Sequence, residues 1–178
     1  MSDQVPPLTP HEEAVWRAFA PLLLRLPKVL DNDLRADTGL SAAEYAVLMN
    51  LSEAPDRQLR MSELANRVAM SASRISRIVD AFAAQGLVTK AKVSDDARGN
   101  LATLTDAGFN RLREAYPAHL ASVRRRVVDH LAGLDLPALA AAIETMVDSL
   151  KDCPAAWQAP APSMKRSGTQ KHQAPERD

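Results

Sequence analysis

Met61-Ser62-Glu63-Leu64-Ala65 and, after a short gap, Met70-Ser71-Ala72-Ser73-Arg74-Ile75-Ser76-Arg77-Ile78-Val79-Asp80 decide the fold. Leu64, Ala65 and Val68 recur at helical spacing, and Ser62 is placed to cap the first turn. Ser71 opens a second helix that ends at Gly86. On its wheel Ile75, Ile78, Val79 and Phe82 share one side. Ser73, Ser76, Arg77 and Asp80 share the other, with Arg74 at the border. After Gly86 the pattern changes. Residues 87–93 are rich in β-formers with charges at alternate positions, 94–100 read as a polar turn, and 101–105 read as a second strand. Two short helices followed at once by a two-stranded hairpin make a winged helix.

The flanks are helical. Ser41 with Glu44 three residues on is a capping box, and its helix runs through Tyr45, Leu48, Met49 and Leu51 to stop before Pro55. Upstream, residues 11–37 carry the stripe Val15, Phe19, Leu22, Leu23, Leu26, Leu30, Leu34. Pro21 and Pro27 fall inside it and predict a bend or break. Downstream, Thr105 caps a long helix through Leu131, with a kink expected at Pro117 and an end at Gly133. A last helix covers residues 136–153. Composition agrees: 31 Ala, 22 Leu, 6 Gly and 4% aromatic residues in 178 favour helix over a sandwich or barrel. The expected fold is mainly α with a small β-hairpin wing. A winged helix-turn-helix occupies 39–104, and the helices at 11–38 and 105–152 form a second region. Those outer helices hold more apolar surface than one small winged unit covers, which points to a dimer interface. Residues 1–10 read as a flexible arm and 153–178, rich in Pro, Ala, Gln and Ser, as a disordered tail.

The exposed half of the second helix carries small hydroxyls and arginines, with no acid before Asp80. Such a face suits a DNA major groove: Arg reaches guanine O6 and N7 as a fork, Ser reaches bases or phosphates, and short side chains let the axis approach. Ser71, Ser73, Arg74, Ser76 and Arg77 are the candidate contacts there. In the hairpin the candidates are Lys90, Lys92 and Arg98, with Asp96 two residues before Arg98 and able to pair with it. A solvated amphipathic helix and a surface ion pair are the plainer readings of the same residues. The net charge is zero, yet residues 60–100 hold seven positive and four negative side chains, +3 against −3 for the remainder. The chain is neutral because it is polarised. No nucleophile elbow, P-loop, Rossmann glycines or metal-ligand spacing is present, so an enzyme is not expected, nor a metal or cofactor. The four histidines, His11, His119, His130 and His172, read as surface residues. The lone Cys153 cannot form an intramolecular disulfide, and no signal peptide or membrane-spanning run is visible. A reduced, cytoplasmic setting is expected.

These motifs resemble the MarR (multiple antibiotic resistance regulator) family of winged-helix transcription factors over about residues 11–152. The resemblance rests on the two helices quoted above, on Gly86-Leu87-Val88, on Asp96-Ala97-Arg98-Gly99 and on Leu104-Thr105-Asp106-Ala107-Gly108. It implies a homodimer built by the first helix and the last two. It also implies a double-stranded, pseudo-palindromic operator with half-sites about 10 bp apart. Arg77 matches the family's recognition-helix arginine, Arg98 the wing arginine and Asp96 its pairing acid, whereas Arg74 replaces a residue that is often a small hydroxyl. The resemblance further implies repression relieved by a small aromatic or phenolic ligand, for which Trp16, Phe19, Tyr45, Phe109 and Tyr116 are the candidate lining. A constitutive or redox-modulated regulator, or a helical interaction module without DNA binding, are the alternatives.

Overall fold

A computed structural model describes residues 5–92 and 100–150 of the chain. The chain divides into two units, Met1–Ala132 and Gly133–Asp178. The first contains helices α1 (Pro10–Thr38), α2 (Ala42–Glu53), α3 (Met61–Arg67), α4 (Ala72–Ala84) and α5 (Asp106–Arg126), with strands β1 (Gln58–Arg60), β2 (Val88–Lys92) and β3 (Asn100–Leu104). The second contains helix α6 (Leu136–Ser149), capped by the Asp135 carboxylate.

Several helix starts lie where their caps predict. Ser41 and Glu44 form the reciprocal capping box of α2. Thr9 and Glu12 form another at α1, so that helix starts at Pro10. The Ser71 hydroxyl accepts from the Arg74 N–H, and the Thr105 hydroxyl from the Gly108 N–H. The start of α3 differs from expectation. Ser62 lies inside the helix and Arg60 takes the N-cap position. Arg60 is also the last residue of β1, paired with Leu101, so the chain passes directly from strand to helix.

The prolines do not break their helices. α1 continues through Pro21 and Pro27, and α5 through Pro117. Each proline removes one backbone bond, but α1 lies along α5, and that packing holds the flanking turns together. The tie is also ionic. Asp33 of α1 meets Arg125 at 2.9 Å and Arg126 at 3.0 Å, and accepts from the buried Ser122 hydroxyl at 2.7 Å. These partners, Arg126 first, hold the Asp33 carboxyl well below the ordinary carboxylate range. α5 is shorter than expected. It ends at Arg126, and a 3-10 turn carries the chain through Val128–Leu131. The β-branched pair Val127-Val128 disfavours another α-turn.

The expected hairpin is present as the antiparallel pair β2–β3, and β1 adds a third strand on the other side of β3, giving the order β1-β3-β2. β1 escapes a periodicity reading because three residues with one apolar side chain, Leu59, show no alternation. Pairing with β3 creates it, with Leu59 opposite Ala102. The expected turn at 94–100 falls largely outside the described residues.

The core sits under the second and fourth helices. Val47, Leu48 and Leu51 of α2 meet Leu64 of α3, Ile75, Val79 and Phe82 of α4, and Val88, Ala102 and Leu104 of the sheet. Each buried Leu, Val, Ile or Phe contributes about 1.5–3 kcal/mol by leaving water. Ile78 and Val68 are only partly buried at its edge.

Candidate nucleic-acid interface

α4 is placed by its apolar side. Ile75, Val79 and Phe82 are at most 1% exposed, which turns the opposite side outward. Ser71, Ser73, Arg74 and Arg77 stand on that outer side, all exposed. The Ser71 and Ser73 hydroxyls are 3.2 Å apart, and Arg77 Nε donates to the Ser73 carbonyl at 3.4 Å. That last contact lays the Arg77 stem along its own helix, with the guanidinium on the exposed surface. Arg74 stands near enough to α1 to help lower the Asp31 carboxyl, although Arg35 does most of that.

The turn before α4 is tight. Ala69 has φ +53°, a left-handed conformation that an L-residue with a Cβ adopts at a cost. Behind α4 the Leu-Thr-x-x-Gly motif clasps the wing. The Thr105 N–H donates to the Leu87 carbonyl at 3.1 Å, and its hydroxyl lies 2.8 Å from the Gly86 carbonyl oxygen. The Leu87 N–H in turn donates to the Phe82 carbonyl at 2.9 Å. The wing base is thereby anchored to the C-terminal turn of α4.

The remaining candidates divide. Ser76 is half-buried and Lys90 is in an ion pair, and both meet Asp80. Lys90 Nζ is 2.5 Å from Asp80 Oδ1, and Ser76 donates to Asp80 Oδ2 at 3.3 Å. The Lys90 hydrogen bond, more than Ser76, lowers the Asp80 carboxyl below its ordinary value. The sequence holds no local signal for this pair, because Lys90 lies in a different element. Lys92 closes β2. Its side chain, and the whole of Asp96 and Arg98, lie outside the described residues. Arg67, counted in the positive stretch, pairs with Glu63 at 2.7 Å.

The aromatic candidates do not converge. Tyr45 and Tyr116 share a cleft of about 290 Å³ with Met49, Ser52, Glu53, Leu112, Arg113 and His119. Trp16 borders a separate groove with Pro7, Leu8, Glu13 and Arg17. Phe19 is half-buried on α1, and Phe109 lies under the Arg57 guanidinium, 4.3 Å from its ring centre. His119 is not the surface residue expected. It is half-buried and stacks on Tyr45 with ring centres 4.2 Å apart. Burial lowers the His119 imidazole and raises the Tyr45 phenol.

Among the described residues no single helix is long and apolar enough to cross a membrane. Comparison with known proteins agrees with the winged-helix geometry. The MarR family profile matches residues 38–99. A MarR family transcriptional regulator from Streptomyces coelicolor, solved in complex with DNA, is 34% identical with a TM-score of 0.74, over 84% of this chain and 93% of that one. AbsC, another from Streptomyces coelicolor, is 35% identical with a TM-score of 0.72, over 83% of this chain and 99% of that one. The HTH-type transcriptional repressor YetL of Bacillus subtilis is 32% identical over 88 residues, 49% of this chain and 53% of that protein. The match thus spans about half the length of that curated relative.

Proposed function

The chain belongs to the MarR family of transcriptional regulators, and on that premise we propose that it is a homodimeric repressor that binds a pseudo-palindromic DNA operator. It is a regulator of transcription and not an enzyme. The observation that carries the DNA-reading role is the outer side of α4, where Ser71, Ser73, Arg74 and Arg77 stand exposed beside a wing. Two such helices, related by a two-fold, reach successive major grooves about one helical turn apart. Arg77 reads base edges, the serines and Arg74 hold phosphates or bases, and Lys92 and Arg98 of the wing contact the flanks. A regulator of this kind works in the cytoplasm, in reach of the DNA.

The terminal helices 11–38 and 105–152 form the dimer. The relieving ligand is a small aromatic or phenolic compound, and its site is the cleft between α2 and α5. Tyr45, Tyr116 and His119 offer ring faces there, and Arg113 offers a cation for an anionic group. A thermal-shift screen of salicylate-like compounds tests this part. No shift with any of them favours a constitutive regulator.

A gel-shift titration with the promoter region beside its own gene tests the main reading. The operator is expected to bind far more tightly than random DNA at about 150 mM salt. Equal affinity for both would sink the proposal. Arg77→Ala should lose about 1–3 kcal/mol of binding and relax specificity at one base pair, with the melting temperature unchanged.

A further inference from the structure

The wing is attached to the recognition helix at two points. The first is the wing base, where the Leu87 N–H donates to the Phe82 carbonyl of α4 at 2.9 Å. The second is Lys90, whose ammonium is 2.5 Å from Asp80 Oδ1. A strand rises about 3.3 Å per residue, so the second point lies roughly 10 Å farther out along β2. One attachment is a pivot, whereas two define a direction. The side chains behave accordingly. The Lys90 side chain is only 25% exposed although the residue lies on a surface strand, because its ammonium is drawn back onto Asp80 of α4. Asp80 is 57% exposed and uses its other oxygen for the Ser76 hydroxyl, which orients the carboxylate from its own helix.

We propose that Asp80 is a positioning residue for DNA reading, which fixes the wing against the recognition helix through Lys90, so that Lys90 is a strut and not a phosphate contact. The proposal rests on the DNA-reading role argued above. It has an electrostatic side. A free lysine on the wing would attract any phosphate, whatever the sequence. Paired with Asp80, it adds no such attraction, and the carboxylate discourages close approach of backbone phosphates at the far end of the helix. The pair therefore favours discrimination over raw affinity. Exposed pairs of this kind contribute little to folding stability, so its removal is read out in DNA binding.

The test uses the full chain and two probes. One is a duplex that the wild-type protein selects from a random-sequence pool, and the other is an unselected duplex of the same length. Binding is titrated across a range of salt concentrations. A wild-type protein that selects no sequence overturns the DNA-reading role itself, separately from this inference. Given a selected duplex, Lys90→Met should weaken binding with no change in the slope of log K against log salt, because no phosphate contact is lost. Asp80→Asn should steepen that slope by about 0.9, since it releases one cation toward the backbone. It should also raise affinity for the unselected duplex and cut the selected-to-unselected ratio about fivefold. Lys90→Arg, which can keep the pair, should restore the wild-type ratio. The double variant should lose no more of the ratio than Asp80→Asn alone. A slope shallower by about 0.9 in Lys90→Met would identify an ordinary phosphate contact and overturn the proposal. So would an unchanged ratio in Asp80→Asn.

Discussion

At Gly108 a methyl group would stand 2.1 Å from the Leu87 carbonyl oxygen and 2.6 Å from Leu104 Cδ1. The first of these is backbone and cannot swing aside. It is also the oxygen that holds Thr105, so the clasp and the close approach share one atom. Gly108→Ala should therefore destabilise the chain by about 3 kcal/mol, measured as a lower urea midpoint. A midpoint within error of wild type would refute the close approach. Ala69 offers the opposite case. Its left-handed φ of +53° lies in the turn before α4, where glycine fits without strain. Ala69→Gly should stabilise by about 1 kcal/mol in the same titration, and a lower midpoint would count against strain there. Both positions show what was legible. Gly108 stands out within Leu-Thr-x-x-Gly, but the reason for it, a carbonyl 21 residues back in the chain, is a tertiary fact. Nothing in Val68-Ala69-Met70 announces a positive φ, because alanine has no preference for one.

Elements were legible in proportion to how local their causes are. The inner face of α4 follows from a 3.6-residue period, and Ile75, Val79 and Phe82 are buried as the wheel requires. The capping box at Ser41 closes within three residues and was legible, whereas the one at Thr9, equally local, lies in the stretch expected to be a flexible arm. β1 was not legible, since its existence depends on β3 some 40 residues later. The stack of Tyr45 on His119 joins α2 to α5 and belongs to the same class. It carries a prediction. Burial lowers the His119 imidazole below its ordinary value of 6.5, so the folded state resists the proton that the unfolded chain accepts. The neutral stack's contribution is fully present above that value. It is lost as pH falls below it, until the folded-state value is reached. Between about pH 7.5 and pH 5.5 the denaturation midpoint should fall, and it should fall less in His119→Phe, which keeps a ring but no titrating group. The carboxyls of Asp31 and Asp33 are held below the carboxylate range and stay ionised throughout that window. Identical pH dependence in the two proteins would refute the role of His119.

At the scale of the molecule, the apolar surface is larger than one chain covers. In the first unit Trp16, Leu22, Leu23 and Leu24 of α1 are each 45–73% exposed. In the second, Ile143, Met146, Val147 and Leu150 are likewise exposed. Contiguous apolar residues of this kind mark an interface, and the proposed two-fold partner would cover them. Leu23→Glu with Leu24→Glu should convert a sedimenting dimer to monomer while the winged helix stays folded, because neither side chain belongs to its core. A wild-type protein that sediments as a monomer at micromolar concentration, or a variant that remains dimeric, contradicts this. Charge tells the same story of scale. The neutral total conceals a stretch of +3, and pairing Lys90 with Asp80 and Arg67 with Glu63 removes one charge of each sign per pair, so the surplus stays +3. The sequence by itself determined the helical class, most helix ends and the outward arginines of α4, because periodicity and capping act over a few residues. Only the tertiary structure decided the third strand, the separation of the aromatic candidates, the Asp33 tie and the Asp80–Lys90 strut. Each of these joins groups that lie far apart along the chain, and a contact of that kind exists only where packing brings the two ends together.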